Sequence, residues 1–143
     1  MAVKGMLDNK VQVTSLVDVV AERIEAAIAQ RAVTPVYQPI YHLGDHRIVG
    51  FEALVRWNHP RRGEIAPAYF VPIAEQSGLI SELGMFTLRR AFEDSKRWPG
   101  VRIAVNVSAN QLRDRNFAGD LAALVAAGSG VQIAGQQHAF GRQ

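Results

Sequence analysis

Apolar residues recur at steps of three and four over Val13, Leu16, Val17, Val20, Ile24, Ala27 and Ile28, the period of one helix face. Ser15 followed three places later by Asp18 is a capping-box start, and Pro35 is expected to stop the helix. Such a stripe either faces a core or pairs with a second copy of itself. Both readings stay open, and the second makes a homodimer a candidate assembly. From residue 36 the character changes. Val36-Tyr37-Gln38-Pro39-Ile40-Tyr41 is β-branched and aromatic, although Pro39 cannot donate to a ladder and points to an edge or irregular strand. Gly44-Asp45 makes the turn, and 48–57 reads as a second strand, antiparallel to the first. Residues 58–63, with Pro60 and Arg61-Arg62, read as a loop.

Pro67 suits a first helical turn, and 69–76 continue it, with Pro72 expected to break or kink the early part. Gly78 fits the stop. In the longer helix that follows, Ile80, Leu83, Thr87, Leu88, Ala91 and Phe92 share one face, while Glu82, Arg89, Arg90, Glu93 and Lys96 fall mostly off it. Pro99-Gly100 ends that helix. Residues 101–107 read as a strand apolar enough to be covered on both faces, and 117–127 as a final helix. The order of helix, hairpin, two helices, strand and helix is an α/β pattern with too few strands to close. Residues 128–143, rich in glycine, glutamine and alanine, carry no period and read as an unstructured or aberrant tail. The chain thus divides into an N-terminal linker and amphipathic helix (1–33), an α/β body (34–127) and that tail.

One strand interrupts its own apolar character. In Phe51-Glu52-Ala53-Leu54-Val55-Arg56-Trp57, the pleat puts Glu52, Leu54 and Arg56 on one face and Phe51, Ala53, Val55 and Trp57 on the other. A carboxylate and a guanidinium facing into a fold are costly unless a metal, an anion or each other satisfies them. Glu52 is therefore either an ion-pair partner of Arg56 or a ligand for a hard cation, and the fork of Arg56 suits phosphate as well as carboxylate. In Ile103-Ala104-Val105-Asn106-Val107, Asn106 stands between Ala104 and Ser108 on the small-residue face. Its carbonyl is either a metal ligand or a buried polar group bonded to backbone. Gln38 is a third inward polar side chain, between Val36 and Ile40.

Charge and composition narrow the chemistry. The net charge is +3, and apart from Arg61-Arg62 and Arg89-Arg90 the basic residues are scattered, which is no nucleic-acid signature. No cysteine is present, so disulfides and thiolate metal sites are excluded. His42, His46, His59 and His138 lack ligand spacing. No apolar run approaches the ~18 residues of a membrane span and no signal-peptide core opens the chain, so a cytoplasmic location is expected. After Asp120 there is no acidic residue, which leaves few candidates to complete a metal site begun at Glu52.

Four blocks carry a resemblance: Tyr37-Gln38-Pro39-Ile40, Gly50 to Trp57, Ala74-Glu75-Gln76-Ser77-Gly78-Leu79-Ile80 and Val105-Asn106-Val107-Ser108. In order and spacing they resemble the first half of the EAL domain, a family of bacterial phosphodiesterases that linearise cyclic di-GMP to pGpG. The resemblance covers about 34–127. It implies a variant TIM barrel with an antiparallel first strand, here incomplete, with about three strands where a closed barrel has eight. It also implies that Glu52 and Asn106 bind magnesium or manganese, that Arg56 holds a substrate phosphate, that Gln38 contacts cyclic di-GMP and that Leu54 lines the same pocket. Complete relatives continue with a further glutamate ligand, paired aspartates, a lysine and another glutamate, none of which follows here. No catalytic residue is assigned. The expectation is a truncated or frame-shifted copy, inactive by itself; the alternative is a catalytically dead module that binds cyclic di-GMP or another protein.

Overall fold

The computed structural model describes residues 15–127 and the strand 131–135. Helix α1 spans Leu16–Ala29, opened by Ser15, whose hydroxyl accepts from the Asp18 N–H while the Asp18 carboxylate accepts from the Ser15 N–H. The capping box is therefore closed on both sides. The first residue of the apolar stripe, Val13, lies outside the described residues. Ile24, Ala27 and Ile28 of the stripe are buried against Val33, Trp57 and Phe70, so this face of α1 packs into the core.

Strand β1 is Val33–Tyr41 and β2 is Ile48–His59, paired antiparallel with Val36 opposite Leu54 and Gln38 opposite Glu52. Pro35 does not stop the helix. α1 already ends at Ala29, and the turn is made by Arg31 at φ 56, leaving Pro35 inside β1. Both Pro35 and Pro39 are tolerated because, among the described residues, β1 is an edge strand paired with β2 alone, so a missing N–H need not cost a ladder bond.

The expected loop over 58–63 is a turn only at 60–62, with strand on either side. β2 runs on to His59, and β3, Gly63–Ile65, turns back on it with Asn58 opposite Glu64. Gly63 at φ 72 takes the left-handed turn position. Helix α2, Pro67–Ser77, continues through Pro72 without ending and stops at Gly78, φ 79. Helix α3, Ile80–Ser95, leads to β4, Arg102–Val107, which pairs parallel to β2. A short helix α4, Ala109–Arg113, and then α5, Arg115–Ala126, capped by Asp114, return the chain to the sheet. Residues 131–135 form β5, Val131–Gly135, parallel to β4.

The expectation of an unstructured segment over 128–143 is thus corrected at 131–135; the rest of that segment lies outside the described residues. An apolar run this short shows no period of its own, and it becomes a strand because the free edge of β4 offers a ladder. Among the described residues the sheet has five strands rather than about three, in the order β1-β2-β4-β5 with β3 beside β2.

One face of the sheet is covered by helices. Val33, Ala53, Trp57, Ile103, Val105 and Val107 point into it and are buried. They pack in two groups, one with α1, α2 and the start of α3, the other with Met85, Leu88, Ala91, Phe117 and Leu121. Trp57 and Phe70 meet edge-to-face at 5.6 Å, a favoured aromatic geometry. On the opposite face Glu52, Leu54, Arg56, Ala104 and Asn106 are only part-buried, while Val36, Gln38 and Ile40 are exposed. The expectation that β4 is fully covered on both faces therefore holds for one face alone. Among the described residues, no helix is long and apolar enough to cross a membrane.

Candidate functional site

The open face of the sheet gathers every residue singled out from the sequence. Gln38, Glu52, Leu54, Arg56 and Asn106 line one cavity of about 600 Å³. The convergence follows from register. Gln38 sits across from Glu52, and Glu52 lies beside Ala104 on β4, so Asn106, one pleat further along, projects on the same side. A larger groove of about 820 Å³ between α3, α5 and the start of β1 contains none of these residues. Its arginines and carboxylates are mixed in sign, so we place the site in the smaller cavity.

Within the cavity the polar groups pair specifically. Asn106 Nδ2 donates to Glu52 Oε1 at 2.8 Å. Glu52 and Arg56 are not partners: Arg56 Nε meets Glu64 Oε1 at 3.2 Å, and Arg56 also donates to the carbonyl of Val55 at 3.0 Å. Arg56 is 25% exposed and Glu64 58%, so this ion pair sits at the rim in contact with water. Gln38 is exposed at the opposite side of Glu52. Leu54 supplies apolar floor between the two charged positions of its own strand.

Glu64 escaped the sequence because it falls between the expected loop and the helix begun at Pro67; its place directly across from Asn58 on the extended β2 brings it to Arg56. Ser108 and Gln111 were also missed as site residues. The signal was present, since S-x-x-Q at the end of a strand is a capping-box pattern. Ser108 Oγ accepts from the Gln111 N–H at 3.2 Å, and Gln111 Oε1 accepts from the Ser108 N–H at 2.8 Å. Both residues line the same cavity.

On the covered face, the Tyr37 hydroxyl donates to Asp94 Oδ2 at 2.7 Å. Burial first, and the Asp94 bond second, push the Tyr37 phenol well above its ordinary range. Arg90 and Arg97 flank Asp94 at 3.4 Å and 4.0 Å, and Trp98 packs edge-on against Tyr37. This cluster ties the edge strand β1 to the end of α3.

Chemically, the cavity offers a carboxylate and an amide oxygen side by side, with a guanidinium beyond Leu54 on the carboxylate's own strand. Oxygen donors of this kind suit a hard cation. Asn106 spends its N–H on Glu52, so its Oδ1 is the group left to offer. Two donors fall short of a full shell, and among the described residues no cluster of three His, Cys, Asp or Glu side chains is present. The residues fit a divalent ion in type and not in number.

Comparison with known proteins identifies the family of the fold. The chain is 46% identical over 95 residues to a signaling protein of Caulobacter vibrioides, covering 66% of this chain and 12% of that one. It is 42% identical over 86 residues to a cyclic di-GMP phosphodiesterase of Pseudomonas aeruginosa, covering 57% of this chain and 15% of that one. Among solved structures, the PaMucR phosphodiesterase in complex with c-di-GMP superposes with a TM-score of 0.70 at 30% identity, over 76% of this chain and 46% of that one. An EAL domain protein from Listeria monocytogenes gives 0.70 at 21% identity, over 83% and 50%, which speaks for the fold alone. The chain thus spans about half of these solved structures and a small part of the curated relatives, and its fold is part of a TIM-barrel-like one. The EAL domain description matches residues 21–133, most of the chain from within α1 to within β5, and the chain belongs to the EAL domain family.

Proposed function

We propose that this chain carries the first part of a cyclic di-GMP site, of the kind that opens the dinucleotide to linear pGpG. The bond from Asn106 Nδ2 to Glu52 Oε1 is the observation that supports it. It fixes a carboxylate and an amide oxygen together on adjacent strands, in a cavity that also holds a phosphate-compatible arginine. Glu52 and Asn106 would hold magnesium or manganese. Such an ion lowers the pKa of a bound water and stabilises charge on the phosphate oxygens. Arg56 would hold a phosphate of the dinucleotide. To do so it exchanges Glu64 for the ligand, at small cost, since exposed ion pairs contribute roughly 0.2–1 kcal/mol. Gln38 contacts the ligand from the edge strand, and Leu54 covers its apolar surface.

A divalent ion taking about six oxygens finds two on the described residues. The chain by itself is therefore expected to bind the ion weakly and not to turn over cyclic di-GMP. Incubating pure protein with cyclic di-GMP and manganese, and separating the nucleotides, tests this: no pGpG is expected, and hydrolysis that Glu52→Gln abolishes would overturn the inactivity. A binding role without catalysis is the second reading, favoured by Arg56 and Gln38 lining the cavity independently of any metal. Calorimetric binding in the micromolar range that survives chelation supports it; the absence of heat counts against it.

A further inference from the structure

We propose that Gln111, seated against Gly84, is a positioning residue that holds Asn106 in register with Glu52. The proposal rests on the metal-site reading above only for its ion-binding consequence. Gln111 is 2% exposed, and its side-chain oxygen is spent on the Ser108 N–H. Ser108 is two residues beyond Asn106, so the reciprocal bonds clamp the strand end from which Asn106 projects.

Capping needs only the oxygen of Gln111. The nitrogen Nε2 is buried without a partner among the described residues, an unfavourable arrangement. Helix α3 buries it. A Cβ added at Gly84 would overlap Gln111 Nε2 and lie 3.3 Å from the Phe117 ring. Gly84 is mid-helix, where glycine is less favourable than alanine.

Two local penalties thus meet at one contact. That contact sets how closely the end of β4 approaches α3. The Asn106–Glu52 bond spans neighbouring strands, so a shift of the β4 end changes it first.

The test uses the whole chain, ¹⁵N-labelled, and reads the side-chain amide resonances of Asn106, assigned by their loss in Asn106→Asp. Glu52→Ala gives their position when the bond to Glu52 is absent. Gln111→Ala is expected to move them toward that position and to weaken manganese binding about tenfold, as loss of a group supporting a ligand does. Gly84→Ala is expected to act the same way. Should it fail to fold, Gln111→Ala, which only removes atoms, carries the test. A role confined to helix capping lowers the melting temperature yet leaves the Asn106 resonances in place, and that result overturns the proposal. If the wild-type chain binds no manganese, the metal reading fails separately, and the amide resonances still decide the positioning claim.

Discussion

The two faces of β2 are built from alternate residues of one short segment and have opposite roles. Ala53 and Trp57 point under the helices, where they are buried with Ile103, Val105 and Val107 of β4. Glu52, Leu54 and Arg56 point the other way, onto a face that stays part-exposed. The covered face is apolar and holds the strands in place. The open face carries polar groups whose worth to stability is small, since each is paired at the rim or in contact with water. Because the pleat period is two, the register that buries Trp57 also fixes where Glu52 stands. The core thereby sets the geometry of the site.

That contrast can be broken most severely from the covered side. Phe70, 1% exposed against Trp57, should cost about 3–5 kcal/mol when changed to alanine. Leu54→Ala, on the open face, should cost well under that, and chemical denaturation of the two variants compares them. Next in size is the tie between β1 and α3. Tyr37→Phe removes a hydrogen bond to buried Asp94 and should cost about 1–2 kcal/mol at neutral pH.

The tie also carries a pH signature. The Tyr37 pKa is raised in the folded chain, by burial first and by Asp94 second. The phenol therefore favours folding fully below about pH 10, its unfolded value, and this contribution is lost as pH rises through the raised one. Melting temperature against pH should fall on the alkaline side in the wild type and less steeply in Tyr37→Phe.

The smallest effect belongs to the rim. Glu64→Gln should change stability by less than about 1 kcal/mol while freeing Arg56 for an anion. Tighter pyrophosphate binding than in the wild type, measured by calorimetry, is the outcome that fits; unchanged binding together with a large loss of stability does not.

Much of this was legible because the signals were local. The α1 stripe, the Ser15–Asp18 box, the hairpin from Val36 onward and the Gly78 stop each depend on residues a few positions apart. All five nominated site residues reach one cavity because alternation along a strand is a reliable rule once the strand is known. What escaped depended on neighbours distant in sequence. Pro35 looked like a helix stop until it proved to lie inside β1, whose edge position Pro39 had already suggested. Val131–Gly135 became a strand through the ladder of β4. Glu52 was an open candidate partner for Arg56 along one strand, yet the partner is Glu64 on β3, a strand too short to announce itself.

Titrating manganese into the whole chain by electron paramagnetic resonance, with Glu52→Gln beside the wild type, asks whether the open face is the chemical one. Glutamine keeps an acceptor for Asn106 and removes the charge. The expected result is weak manganese binding by the wild type, lost in Glu52→Gln with an unchanged melting temperature. Equal binding by both proteins would contradict it, because the ion would then be held somewhere other than beside Asn106.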